Sequence, residues 1–152
     1  MAEQSGEKIK VTLRWVQILD NLEPWFKEKG EFVFHTKVAS DNLGGVIHET
    51  KIPEEGFWAI SDHPAWNKED VNRVIFEGVI SDHLVVELIG EEMDSLSAND
   101  FLDTYRREFS GPVEAMLGWY APGADVPEEG ESEARDPESM SNWRVCYTIE
   151  KA

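Results

Sequence analysis

The chain has 152 residues, 41% of them hydrophobic and 11% aromatic, enough for a single domain with its own core. Its 31 acids against 14 bases leave a formal net charge of −17, which repels phosphate backbones and argues against nucleic-acid binding. A single cysteine, Cys146, excludes a disulfide framework and a cysteine zinc cluster, and no stretch reaches the roughly 20 apolar residues of a membrane span.

Residues 1–8 are polar, without a signal-peptide pattern, and are expected to be a disordered tail before one domain over 9–152. The lone thiol, set between Val145 and Tyr147, reads as a small buried hydrophobe and fits a cytoplasmic protein. Ile9, Val11, Leu13 and Trp15 alternate with polar residues, the period of a half-buried strand. The phase slips at Trp15-Val16, so that Val16 and Ile18 continue the apolar face, as a bulge allows. Pro24 and Gly30 mark 21–30 as a loop. Phe32, Phe34, Thr36 and Val38 define a second strand, Asp41 to Gly45 a hairpin turn, and 46–52 the returning strand before Pro53.

A short strand is expected at 57–60, followed by a polar loop over 61–71 with a helical turn near 67–71. Residues 73–81 and 84–89 read as two strands of a hairpin linked through Ser81-Asp82-His83. The segment 101–109 is a strand with helix as its competitor, and 113–120 stays open between strand and short helix. Residues 122–141, with three prolines, two glycines, many acids and no aromatic until Trp143, are expected to form a flexible acidic loop. Trp143, Val145, Tyr147 and Ile149 then alternate in a final strand. Some eight short strands with turns between them predict an all-β, antiparallel, eight-stranded sandwich with the acidic insertion before its last strand.

The loop after Ile89 concentrates oxygen donors. With Glu92 as position zero, Asp94 stands at two, Ser97 at five and Asp100 at eight. Oxygen ligands at such intervals, on a loop fixed at both ends, suit a hard cation such as calcium. A sandwich strand ending in acid, x, acid, two residues, Ser, two residues, Asp resembles the calcium- and lipid-binding C2 domain.

That resemblance implies a C2-like fold and a calcium site made by Asp20, Glu92, Asp94, Ser97 and Asp100. It also implies that Trp25, Phe26, Met93 and Leu96 lie at loop tips that meet a membrane or a protein partner. The chain departs from the family pattern at several places. Glu92 replaces the usual Asp, Asp103 stands where Gly is usual, and Phe26 occupies the place of a second N-terminal acid. The Ser-Asp-Pro-Tyr signature is missing.

His35, His48, His63 and His83 lack metal-ligand spacing, and there is no Gly-x-Ser-x-Gly elbow or phosphate-cradling glycine loop. The chain is therefore expected to be a non-catalytic binding module, possessing a calcium-dependent surface for membrane or protein at one end of the sandwich. One alternative is a metal-independent protein-interaction domain whose acidity serves solubility. Another is a carbohydrate-binding module or enzyme that stacks sugars on Trp25, Trp58 and Trp66.

Overall fold

The alternation of Ile9, Val11 and Leu13 with Lys8, Lys10 and Thr12 makes β1 (Glu7–Ile18), the strand on which the first sheet is built. In the computed structural model, which describes residues 6–19, 29–40, 47–61, 63, 67–93, 100–121 and 143–152, nine further strands follow. They are β2 (Lys29–Ser40), β3 (Ile47–Ile52), β4 (Trp58–Ser61), β5 (Lys68–Ile80), β6 (His83–Glu92), β7 (Asp100–Phe101), β8 (Tyr105–Ser110), β9 (Gly118–Tyr120) and β10 (Trp143–Lys151). A 3₁₀ turn at Val113–Ala115 precedes β9, so the ambiguous 113–120 stretch contains both a short helix and a strand.

Sheet 1 has the order β5-β1-β10-β9. In sheet 2, β2 and β6 lie side by side, β3 and β4 share the free flank of β2, and β7 and β8 share the free flank of β6. Among the described residues ten strands thus fill eight ladder positions, and every pairing is antiparallel. The expected eight-stranded sandwich is the architecture found.

The expected slip in β1 is also present. Leu13 faces Tyr147 while Trp15 faces Cys146, so Arg14 is the extra residue of a bulge. The apolar face returns to the interior at Val16 and Ile18, both at 0% exposure. On the other flank β5 bulges too, with Asn72 in the left-handed region at φ 48, where its side-chain oxygen accepts from Arg14 at 3.4 Å. Cys146 is fully buried, as its apolar context implies.

The two inner faces meet in an aromatic core. Phe34 stacks on Trp143 at 5.6 Å, Tyr120 stacks on Tyr147 at 5.2 Å, and the Tyr105 and Tyr147 hydroxyls share a hydrogen bond of 2.5 Å. Each such ring contributes roughly 1.5–3 kcal/mol or more through burial.

Four local expectations are corrected. Residues 73–81 and 84–89 do not pair as a hairpin: β5 pairs with β1 and β6 pairs with β2, so Ser81-Asp82 steps from one sheet to the other. The step places the buried Ile75, Phe76 and Ile80 in one layer of the core and Leu84, Val86 and Leu88 in the other, where a hairpin would have placed both rows in one sheet. No helical turn forms at 67–71. Ladder pairing of Lys68, Glu69 and Asp70 with β1 outweighs the weak helix preference of Val, Asn and Asp. The segment 101–109 is neither a helix nor one strand, because residues 102–104 step between β7 and β8. Finally, β1 begins at Glu7, two residues inside the expected tail. The expected flexible loop at 122–141 lies outside the described residues.

Candidate site at the loop end of the sandwich

Strand direction brings several chain segments to one end. β1 leaves there through Leu19 and β2 enters at Lys29; β6 leaves through Met93 and β7 enters at Asp100. β4 and β9 also leave at this end, and β5 and β10 enter there. The register fixes their neighbours: Phe32 faces Glu92, Lys29 faces Ser61, Gln17 faces Lys68, and Ile18 faces Trp143. The Met93 N–H donates to the Glu31 carbonyl at 2.7 Å, which ties the start of the acidic segment to β2. The strand ends that bound 20–28 and 94–99, two stretches separated by about seventy residues of sequence, are therefore adjacent in space.

The chemistry of this end begins with the phase of β6. Leu84, Val86, Leu88 and Gly90 occupy its inward positions, and Glu92 takes the next one. A carboxylate so ends an apolar column, fully buried at 0% exposure, where the space between the sheets meets the loops. Such burial is costly unless the group is hydrogen-bonded or charge-compensated, and Glu92 does interact with neighbouring groups. Across the ladder from Glu92 stands Asp100, the first residue of β7. Glu91 points to the other face, where one of its oxygens lies 3.0 Å from His35 Nε2.

Two packing devices hold the returning strand. A Cβ on Gly90 would overlap Leu102 and come within 3.2 Å of Phe34, so glycine permits Leu102 to close on β6; the Leu102 N–H donates to the Gly90 carbonyl at 2.8 Å. The Trp143 indole N–H donates to the Asp103 carbonyl at 2.6 Å, linking sheet 1 to the step that follows β7.

Of the residues expected to bind calcium, Glu92 and Asp100 are therefore ladder partners, while Asp20, Asp94 and Ser97 lie outside the described residues. Of the expected contact residues, Met93 is half-buried, and Trp25, Phe26 and Leu96 lie outside the described residues. Among the described residues no group of three or more His, Cys, Asp or Glu could hold a metal ion. The expected donors are all oxygens, the type a hard cation takes, and the described pair comes from both sides of the loop.

Two residues at this end were not singled out from the sequence. Leu19 is 40% exposed and Phe101 59% exposed, large apolar groups at the strand ends that bound 20–28 and 94–99. The signal for Phe101 was its neighbour. Adjacent residues of a strand face opposite ways, and Leu102 takes the inner position at 2% exposure. Trp58, offered for sugar stacking, instead packs against the core with its ring 6.3 Å from Phe34, and Trp66 lies outside the described residues. No helix among the described residues is long and apolar enough to cross a membrane.

No family model matches the chain, and no curated protein matches it. Among solved structures, 13 chains match. One is the C2A domain of plant extended synaptotagmin 1, similar over 97% of this chain and 95% of that one, with a TM-score of 0.51 and 8% sequence identity. A likeness at that identity is one of fold, and it agrees with the strand order: this chain folds as a C2-like antiparallel β-sandwich.

Proposed function

We propose that the chain is a non-catalytic binding module that takes up calcium at the loop end of its sandwich and then engages a membrane surface, working in the cytoplasm. The observation carrying this reading is the adjacency of the strand ends that bound 20–28 and 94–99, with Glu92 opposite Asp100. On this reading Asp20, Glu92, Asp94 and Asp100 supply carboxylate oxygens and Ser97 a further oxygen. The ion supplies charge: it offsets the mutual repulsion of the acids and reverses the local field of a chain of net charge −17. Trp25, Phe26, Met93 and Leu96, with the exposed Leu19 and Phe101, provide apolar contact once that repulsion is relieved.

A second reading has its own support. The full burial of Glu92 beside exposed Leu19 and Phe101 suits an apolar contact with a protein partner that needs no ion. Sedimentation with anionic vesicles decides between them. The calcium reading expects pelleting that requires calcium, reverses with chelator and weakens in Phe101→Ser. Pelleting indifferent to calcium, or none at any calcium level, contradicts it.

A further inference from the structure

Lys37, Glu87 and Arg106 stand in one row across sheet 2, each the ladder partner of the next. In the adjoining row Ala39 is the partner of Val85. Long charged side chains beside two short apolar ones leave a recess of about 260 Å³, lined by these five residues. It lies on the outer face, since the alternate residues Val38, Val86 and Leu88 are buried in the core. Opposite charges on neighbouring strands ordinarily close into cross-strand pairs. Here they stay open. Among the described residues Glu87 makes no ion pair with Lys37 or Arg106, and Arg106 turns along its own strand to Glu108 at 2.8 Å. Glu87 is nevertheless half-buried, so that its carboxylate lies within the recess.

We propose that this recess binds a small zwitterion. Its ammonium sits on Glu87, its carboxylate or phosphate bridges Lys37 and Arg106, and its apolar part rests on Ala39 and Val85. Both charges are required. A simple anion meets Glu87 as well as the field of the whole chain, and a simple cation meets Lys37 and Arg106. The volume is just below the range typical of pockets for drug-sized ligands, which sets the scale at that of an amino acid or a headgroup fragment. The recess is on a sheet face, apart from the loop end, so it stands or falls independently of the calcium reading.

The test follows the Ala39 and Val85 methyl resonances by NMR while leucine or phosphoethanolamine is added at millimolar concentration. Leucine represents a free amino acid and phosphoethanolamine a phosphate headgroup, so the arm that responds identifies the source. The proposal expects saturable shifts with at least one of them, none with N-acetylleucine, and affinity about tenfold weaker in Glu87→Gln and Lys37→Gln. Absence of saturable shifts with both zwitterions overturns it. Equal shifts with N-acetylleucine also overturn it, and that comparison requires no variant. Melting curves of the two variants check that they are folded, and undiminished binding in a folded Glu87→Gln is a further refutation.

Discussion

Replacing Trp143 by Phe tests how the loop end is braced. Trp143 is 1% exposed, stacks on Phe34 at 5.6 Å and donates its indole N–H to the Asp103 carbonyl at 2.6 Å. Phenylalanine keeps one aromatic ring but removes the donor, a loss of about 0.5–1.5 kcal/mol. The smaller ring also leaves space that its neighbours fill only in part, adding roughly 1–2 kcal/mol. The sum is about 1.5–3.5 kcal/mol, a large share of the ~5–15 kcal/mol that holds a domain of this kind together, yet small enough for the variant to fold. Urea unfolding followed by tryptophan fluorescence should show the midpoint falling by roughly 1–2 M with an unchanged slope. A midpoint equal to that of the wild type would refute the bracing role, and a changed slope would mean that the variant alters more than this contact.

Further outcomes follow from other contacts. Gly90→Ala should destabilise by about 1–3 kcal/mol in the same assay, because the new methyl meets Leu102 and Phe34 in a packed interior; combined with Leu102→Ala it should cost less than the sum of the two single substitutions. Tyr105→Phe and Tyr147→Phe should combine non-additively, by about 0.5 kcal/mol or more, because their hydroxyls share one hydrogen bond. Two exposed carboxyls predict a weak acid limb in the melting temperature. Hydrogen bonding and charge from Arg106 hold Glu108 below the usual 4.5, and Glu114 is lowered by its own backbone N–H and then by Lys151. Groups depressed in the folded state stabilise above their ordinary value and lose that contribution as pH falls below 4.5, so Glu108→Gln with Glu114→Gln should flatten this limb. Lys151, raised above 10.5 chiefly by its hydrogen bond to Glu114, gives the mirror effect: its contribution is present below that value and lost as pH rises through it.

The sequence was most legible where one period ran uninterrupted. Phe32, Phe34, Thr36 and Val38 announced β2, and the slip at Trp15-Val16 announced the bulge around Arg14, since only a phase change keeps Val16 and Ile18 inside. Ladder partnership was harder to read. β5 and β6 are each good strands, and their own residues do not state that a two-residue link crosses between sheets; that is decided by which layer completes the core. The split of 101–109 arises from residues 102–104, where Leu102 turns inward against Gly90 and Asp103 meets Trp143, contacts with residues far along the chain. At the loop end the sequence located the acidic segment and Asp100. The burial of Glu92 followed from the inward phase of β6, a periodicity that motif spacing does not register.

Calcium titration of the melting temperature at constant ionic strength tests the central proposal most directly. If Asp20, Glu92, Asp94, Ser97 and Asp100 hold the ion, calcium at about one hundred times its dissociation constant stabilises the fold by ~2.7 kcal/mol, which for a domain of this size raises the melting temperature by roughly 5–10 °C. Asp94→Asn with Asp100→Asn should abolish the rise, and magnesium at equal ionic strength should not reproduce it. A wild-type melting temperature indifferent to calcium, or a rise that survives the double substitution, would contradict the calcium site.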